Sequence, residues 1–324
     1  MKPIVLGSRG SPLALTQTRQ VMSDLKRAWP GRNFEIHVIK TEGDKLAESA
    51  EAGNVKLGKG LFTAELERAL VEGDIDLAVH SLKDLPTSGP EGLMLAAVPP
   101  RADARDVLIT RGPDLVPEQP QQPEGWITAS GSLRRVLLGP ELRYGAILAT
   151  GSPRREAQLR LVRADLVTVP IRGNIDTRLR KFRENPEWSG LVLAAAGLDR
   201  LKPDLAGLTV TKMSFSQMLP APGQGALGIQ TRTENSADVR TLVRALHHAE
   251  TAAAVTAERM FLEALGGGCG EPIAAYAEVG EDNLLTLEGI AWLIGETVPR
   301  RGKLVRRVDQ AEVLGVDLAV EISR

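Results

Sequence analysis

The sequence predicts two α/β domains followed by a smaller α+β domain, and three observations carry that expectation. Short apolar runs alternate with amphipathic stretches through the first third of the chain, as in βαβ units. Two segments, Val98–Asp106 with its prolines and mixed charges and Met218–Gly225 with its prolines and glycines, then break the periodicity as crossovers between α/β patterns. From about Leu242 the order changes to helix, glycine cluster, strands and a closing helix.

Along the chain, Ile4–Gly7 reads as a strand, Ser11–Ala28 as an amphipathic helix and Phe34–Lys40 as a second strand. The Gly/Lys-rich stretch Gly53–Gly60 reads as a mobile loop feeding a helix over Leu61–Glu72, where Leu61, Phe62, Leu66, Ala69 and Leu70 keep helical spacing. Asp76–Val79 reads as a buried strand that delivers His80-Ser81-Leu82-Lys83-Asp84 to its carboxyl end, where open α/β sheets place ligand sites. In the last part, Ala249–Leu265 reads as a helix, Ile273–Val279 and Leu284–Ile294 as strands, and Gln310–Ile322 as the final helix. The expected domains are 1–99 plus about 222–243, then 103–217, then 245–324.

Composition narrows the function. The 324 residues carry 40 Lys+Arg against 41 Asp+Glu, so bulk charge neither neutralises a polyphosphate nor holds the chain on an anionic membrane. Aromatics, at 3%, are too few for a base-stacking platform. A single cysteine excludes an internal disulfide, and four histidines with one cysteine show no metal-ligand spacing. His247 and His248 are expected on different faces of a helix. No apolar core of signal-peptide length precedes Ser8-Arg9-Gly10-Ser11-Pro12, and no later run approaches ~18 apolar residues, so a cytoplasmic protein is expected.

Chemistry concentrates at element ends. Ile127–Arg135, reading ITASGSLRR, recurs as Ile147–Arg155, reading ILATGSPRR. Each copy reads as a strand ending in a small-residue turn that opens a helix, whose free N–H groups and nearby arginines suit an anion. Arg9, Arg134, Arg135, Arg154, Arg155, Arg172, Arg178 and Arg200 lie at or near such expected ends. Any one of them alone reads more readily as a surface ion pair than as a ligand contact, whereas converging guanidinium groups suit a substrate bearing several carboxylates. Cys269 lies in Gly266-Gly267-Gly268-Cys269-Gly270, where the glycine flanks leave the sulfur uncovered. A small buried hydrophobe and a reactive or covalently modified thiol both fit that setting.

Together, several blocks resemble the hydroxymethylbilane synthase, or porphobilinogen deaminase, family almost end to end. They are Ser8–Leu15, Gly58–Phe62, Ala78–Pro86, Arg172-Gly173-Asn174 with Thr177-Arg178, Pro222–Gly225, and Gly267-Gly268-Cys269 with Pro272. The resemblance implies a tetrapyrrole-synthesis enzyme with two periplasmic-binding-protein-like domains hinged around a cleft and a third bearing the cofactor cysteine. It implies a dipyrromethane held by Cys269 through a thioether. Four porphobilinogen molecules would be condensed onto it with loss of four ammonias, and hydrolysis would release hydroxymethylbilane. No metal, nucleotide, nucleic acid or membrane is implied, and a monomer is expected, with porphobilinogen and its linear oligopyrrole intermediates as the partners.

By the same resemblance, Asp84 is the catalytic carboxylate with Lys83 beside it. Arg9, Ser11, Lys83, Asp84, Ser152, Arg154, Arg155 and Arg172 would hold the cofactor. Arg9, Ser11, Lys56, Lys59, Phe62, Arg172, Arg178 and Arg200 would meet substrate. The chemistry agrees, because each porphobilinogen brings an acetate and a propionate that need partners once desolvated. A fixed carboxylate also suits the cation left when ammonia departs. The chain departs from the family in its second Ser-x-Arg-Arg. Arg154 precedes Arg172 by the family's 18 positions and Arg134 by 38, so the site is assigned to the second copy, with roughly 126–146 an inserted duplicate. Measured from Asp106, the first copy fits better. Glu42 stands where the family often has a basic residue. The alternative, a non-catalytic anion-binding module of periplasmic-binding-protein type, explains two lobes and the arginines but neither Cys269 nor a third domain.

Overall fold

The computed structural model describes residues 2–41, 63–111, 142–234, 237–267, 270–293 and 295–324. They fall into two units, bounded by Met1–Ala104, Ala221–Cys269 and Ile273–Arg324 for the first and by Arg105–Pro220 with Gly270–Pro272 for the second.

The first unit opens with β1 (Ile4–Arg9), α1 (Pro12–Ala28), β2 (Phe34–Ile39), α2 (Ala64–Glu72), β3 (Leu77–Ser81) and β4 (Leu93–Ala97). β10 (Leu227–Arg232) completes its sheet in the order β2-β1-β3-β10-β4, with β1 parallel to β2 and β3, and β10 antiparallel to β3 and β4. Four of the five residues of β3 are buried, the near-continuous apolar run of a central parallel strand. α1 starts where Ser11 Oγ accepts from the Ala14 N–H and Pro12 supplies a preset φ, and it ends on Lys26 and Arg27, which complement the helix dipole. Its face of Ala14, Gln17, Thr18, Val21 and Leu25 turns inward. Val21 and Leu25 share a core with Leu6, Leu77, Val79 and Ile229.

The second unit holds β5 (Asp106–Arg111), β6 (Ile147–Ala149), α3 (Pro153–Val162), β7 (Val167–Val169), α4 (Ile175–Glu184), β8 (Gly190–Ala194), α5 (Ala195–Leu201) and β9 (Leu208–Lys212). The sheet order β7-β6-β8-β5-β9 repeats the first unit's plan, with β6 parallel to β7 and β8, and β5 antiparallel to β8 and β9. In each sheet the strand antiparallel to the parallel trio is the one that follows a crossover, β5 after the first and β10 after the second. Leu142 and Ala146, at the end of the expected duplicate insert, are buried in this unit's core with Leu148 and Leu159.

α6 (Ala237–Arg244) packs beside β4, and a small α+β module follows: α7 (Ala249–Ala264), antiparallel β11 (Ile273–Val279), β12 (Leu284–Ala291) and β13 (Arg300–Arg307), then α8 (Ala311–Ser323). Its core gathers Phe261, Leu285, Leu287, Leu314 and Leu318. β13 escaped the sequence reading because Arg-Arg-Gly-Lys-Leu-Val-Arg-Arg is charged at an exposed sheet edge, a composition that discourages edge-to-edge pairing. The expectation for His247 and His248 is corrected. Both lie in the turn between α6 and α7, where His247 Nδ1 accepts from the Val98 N–H and His248 N-caps α7.

One buried carboxylate joins this module to the crossover segments. Glu258 of α7 is fully buried; it takes a two-pronged Arg101 ion pair at 2.7 and 2.9 Å and accepts from the Gly223 and Ala277 N–H groups at 2.7 and 2.8 Å. Arg101 also donates to the Gln224 carbonyl and lies over the Tyr276 ring. Every lone pair of the buried anion faces a donor, which offsets its desolvation. Glu258→Ala leaves Arg101 and two backbone N–H groups unmatched and is expected to cost about 3–5 kcal/mol, read as a lower midpoint in thermal unfolding. An unchanged midpoint would show that the node holds nothing together.

Candidate active site

In the first unit, β1 and β3 run parallel with Gly7 opposite Ala78, so their carboxyl ends open at one edge of the sheet. β1 ends on Arg9, half-buried, and leads to Ser11 at the start of α1. β3 ends on Ser81 and passes into a single 3-10 turn, Leu82–Asp84, in which Leu82 is buried, Lys83 half-buried and Asp84 exposed. Arg9, Ser11, Lys83 and Asp84 therefore share one sheet edge. Gln17 reaches across from α1 and exchanges hydrogen bonds with Ser81 Oγ at 2.8 and 3.1 Å.

The support beneath that edge is buried. His80 Nε2 lies 3.0 Å from Gln230 Oε1 of β10. Burial pushes the His80 pKa down to about 4; the Gln230 hydrogen bond opposes the shift and the positive charge of Arg9 adds to it. The ring is therefore neutral near pH 7. Gly223, at φ +75°, passes under the turn: a Cβ there would lie 3.2 Å from the Lys83 nitrogen, so close an approach at a left-handed φ requires glycine.

In the second unit, the parallel strands β6, β7 and β8 each run straight toward a helix start. β6 passes through Thr150-Gly151-Ser152 into α3, β7 through Arg172-Gly173-Asn174 into α4, and β8 directly into α5. A Cβ on Gly151 would lie 2.4 Å from the Ile171 carbonyl oxygen, so the first two loops touch through bare backbone. Asn174 caps α4 by accepting from the Thr177 N–H, and Arg178 Nε donates to the Gly173 carbonyl. Ser152 makes no such side-chain cap at the start of α3. Arg172 is exposed, while Arg178 and Arg200, near the end of α5, are half-buried.

Arg154 and Arg155 differ from the other arginines. Both are buried, and both meet Asp106 at 2.8 Å, one on each carboxylate oxygen. Arg154 also donates to the Leu219 carbonyl and Arg155 to the Val192 carbonyl. Burial alone would raise the Asp106 pKa, but the two guanidinium groups outweigh it and hold the carboxyl far below the usual range. One carboxylate faces two cations, so the cluster keeps one surplus positive charge under the start of α3.

Lys56, Lys59, Phe62, Glu42, the first Ser-x-Arg-Arg and Cys269 lie outside the described residues. Gln17, Gln230 and Asp106 are supporting residues that sequence reasoning missed. Asp106 at a strand start was the one visible signal, an acidic residue opening an otherwise apolar run. Among the described residues no cluster of His, Cys, Asp or Glu could hold a metal, and no helix is long and apolar enough to cross a membrane. Within the second unit, the exposed Arg172 and the uncapped start of α3 are donors that suit a carboxylate.

Two family models cover nearly the whole chain: porphobilinogen deaminase, dipyromethane cofactor binding domain, over residues 4–240, and porphobilinogen deaminase, C-terminal domain, over residues 252–324. Curated relatives agree. The porphobilinogen deaminase of Thermus thermophilus is 41% identical over 322 residues, 99% of this chain and 96% of the relative. That of Syntrophus aciditrophicus is 44% identical over 316 residues, 97% and 93% respectively. That of Moorella thermoacetica is 45% identical over 291 residues, 90% and 83%.

Proposed function

The chain belongs to the porphobilinogen deaminase family, the transferases that make hydroxymethylbilane from porphobilinogen on a dipyrromethane cofactor, and from that premise we propose which of its residues do the work. Asp84 is the catalytic carboxylate. The observation that carries this reading is the parallel pairing of β1 with β3, which brings Arg9, Ser11, Lys83 and Asp84 to one sheet edge. Dipyrromethane, attached through Cys269, would supply the free pyrrole carbon that the first porphobilinogen joins, each later one joining the pyrrole added before it. Arg9, Ser11 and Lys83 in the first unit, with Ser152, Arg154, Arg155 and Arg172 in the second, hold the cofactor's carboxylates. Arg178 and Arg200 add partners for those of the substrate, as do Lys56 and Lys59, and Phe62 meets the substrate beside them. Asp84 then offers a fixed negative charge to the positive charge that develops on substrate as ammonia leaves, and accepts hydrogen bonds from pyrrole N–H groups.

The three sheets, each with its own core, support a division into three domains at 1–99 plus about 222–243, 103–217 and 245–324. The near-zero net charge favours a small acidic substrate over nucleic acid or a membrane surface, and the enzyme acts as a cytoplasmic monomer. Intact mass of freshly purified protein tests the reading: an increment of dipyrromethane size is expected, followed by a ladder of heavier species on titration with porphobilinogen. An unmodified chain with full turnover would sink it.

The duplicated arginine pair yields a second test. Arg154→Leu with Arg155→Leu strands Asp106 as a buried, uncompensated anion, so the pair is expected to lose about 3–5 kcal/mol of stability and to fail in cofactor assembly. Arg134→Leu with Arg135→Leu is expected to keep most turnover. Thermal unfolding and intact mass of both double variants decide between the copies, and the reverse ranking would move the site to the first.

A further inference from the structure

The turn that carries Asp84 is held from behind by a residue to which the proposed mechanism gives no role. Arg259, on α7, spreads its guanidinium over three backbone carbonyls: Nη1 donates to Leu85 at 2.8 Å and Leu82 at 3.3 Å, and Nη2 donates to Pro86 at 2.6 Å. Val255, one helical turn earlier on the same face, packs with Leu82 and Leu85 in a small buried cluster. On the far side the Leu82 N–H donates to the Ala226 carbonyl, and Gly223 passes under Lys83. The turn is thus gripped on its carbonyl side by α7, which ends at Ala264, and in the sequence Cys269 follows ten residues after Arg259.

We propose that Arg259 is a positioning residue for the reaction, fixing the Leu82–Pro86 turn, and with it Asp84, to the helix that leads into the Cys269 segment. Three carbonyls converging on one planar cation need the donor fork of arginine; a lysine ammonium is a compact point donor and holds the set less rigidly. A carboxylate that acts by fixed charge loses its effect when it drifts, and a displacement of about 1 Å costs up to 10²-fold in rate. The proposal rests on the reading of Asp84 as the catalytic carboxylate.

The test uses the cofactor-loaded enzyme with Arg259→Met and Arg259→Lys, each alone and combined with Asp84→Asn. Arg259→Met is expected to lower kcat roughly 10- to 100-fold with little change in KM. Dipyrromethane content by intact mass should stay full, and amide exchange should quicken across residues 83–85. Arg259→Lys is expected to recover part of the loss, and it carries the measurement if Arg259→Met does not fold. In the Asp84→Asn background the Arg259 substitutions should cost little further rate, because the two act through one group. An unchanged kcat in both Arg259 variants, or an equal loss with and without Asp84→Asn, would overturn the positioning role while leaving Asp84 in place. Full turnover in Asp84→Asn alone would instead overturn the reading of Asp84, and the route assigned to Arg259 with it.

Discussion

Asp84→Asn is expected to leave a folded protein that keeps its dipyrromethane yet turns over roughly 10²–10³ more slowly, about 3–4 kcal/mol of barrier. The small effect on stability follows from position. Asp84 stands exposed at the end of a short 3-10 turn, and an exposed carboxylate of that kind contributes at most ~1 kcal/mol through capping or an ion pair. The large effect on rate follows from charge. Asparagine keeps the shape and one acceptor oxygen but removes the negative charge that faces the cation formed as ammonia departs. The turn itself is rigid: Leu82 is buried, the Leu85 N–H closes back on the Leu82 carbonyl, and β3 behind it is paired on both sides. Such a fixed charge needs no reorganisation during the reaction. Hydroxymethylbilane production by Asp84→Asn near the parent rate, at unchanged thermal stability, would rule the assignment out.

Cys269→Ser is expected to abolish turnover while the protein folds normally. A thioether forms from a thiolate; a serine hydroxyl is far harder to ionise and a much weaker nucleophile, so the variant has no means of acquiring its primer. The glycines on both sides are compatible with an uncovered, reactive thiol, and the variant separates that role from packing. Intact mass of the purified variant should match the bare polypeptide, and consumption of porphobilinogen should fall below detection. A Cys269→Ser protein that retains the dipyrromethane increment, or full activity, would refute covalent priming through this residue.

What the sequence revealed and what it hid divide along physical lines. β1, α1 and β2 were legible because their apolar periodicity is strong and Ser11-Pro12 marks the helix start chemically. The crossovers were legible because proline and glycine interrupt that periodicity. β13 was not, since its inward face shows little more than Gly302 and Leu304 between charged neighbours. At the site, the arginines announced themselves by type and spacing, but their partners did not. Nothing local in the sequence joins Asp106 to Arg154 and Arg155, or Arg101 to Glu258 across 157 positions, because such pairs exist only once distant elements have packed. The same limit hid from the sequence that the fold buries Arg154 and Arg155 against a carboxylate of its own.

The insertion of β10 between β3 and β4 sets an order on how the polypeptide acquires its shape as it is made. The strands of the second unit, β5 to β9, are contiguous in the chain, so its sheet has all its members once Lys212 has emerged. The first unit has no such independence: β4 reaches the rest of its sheet only through β10, and everything from Val98 to Ala226 must be synthesised before that strand exists. At about 5–20 residues per second, the earliest-made sheet waits on the order of ten seconds with unpaired edges on β3 and β4. The oldest part of the nascent chain is thus among the last to close, and for that interval it is the part most exposed to aggregation and most in need of a chaperone.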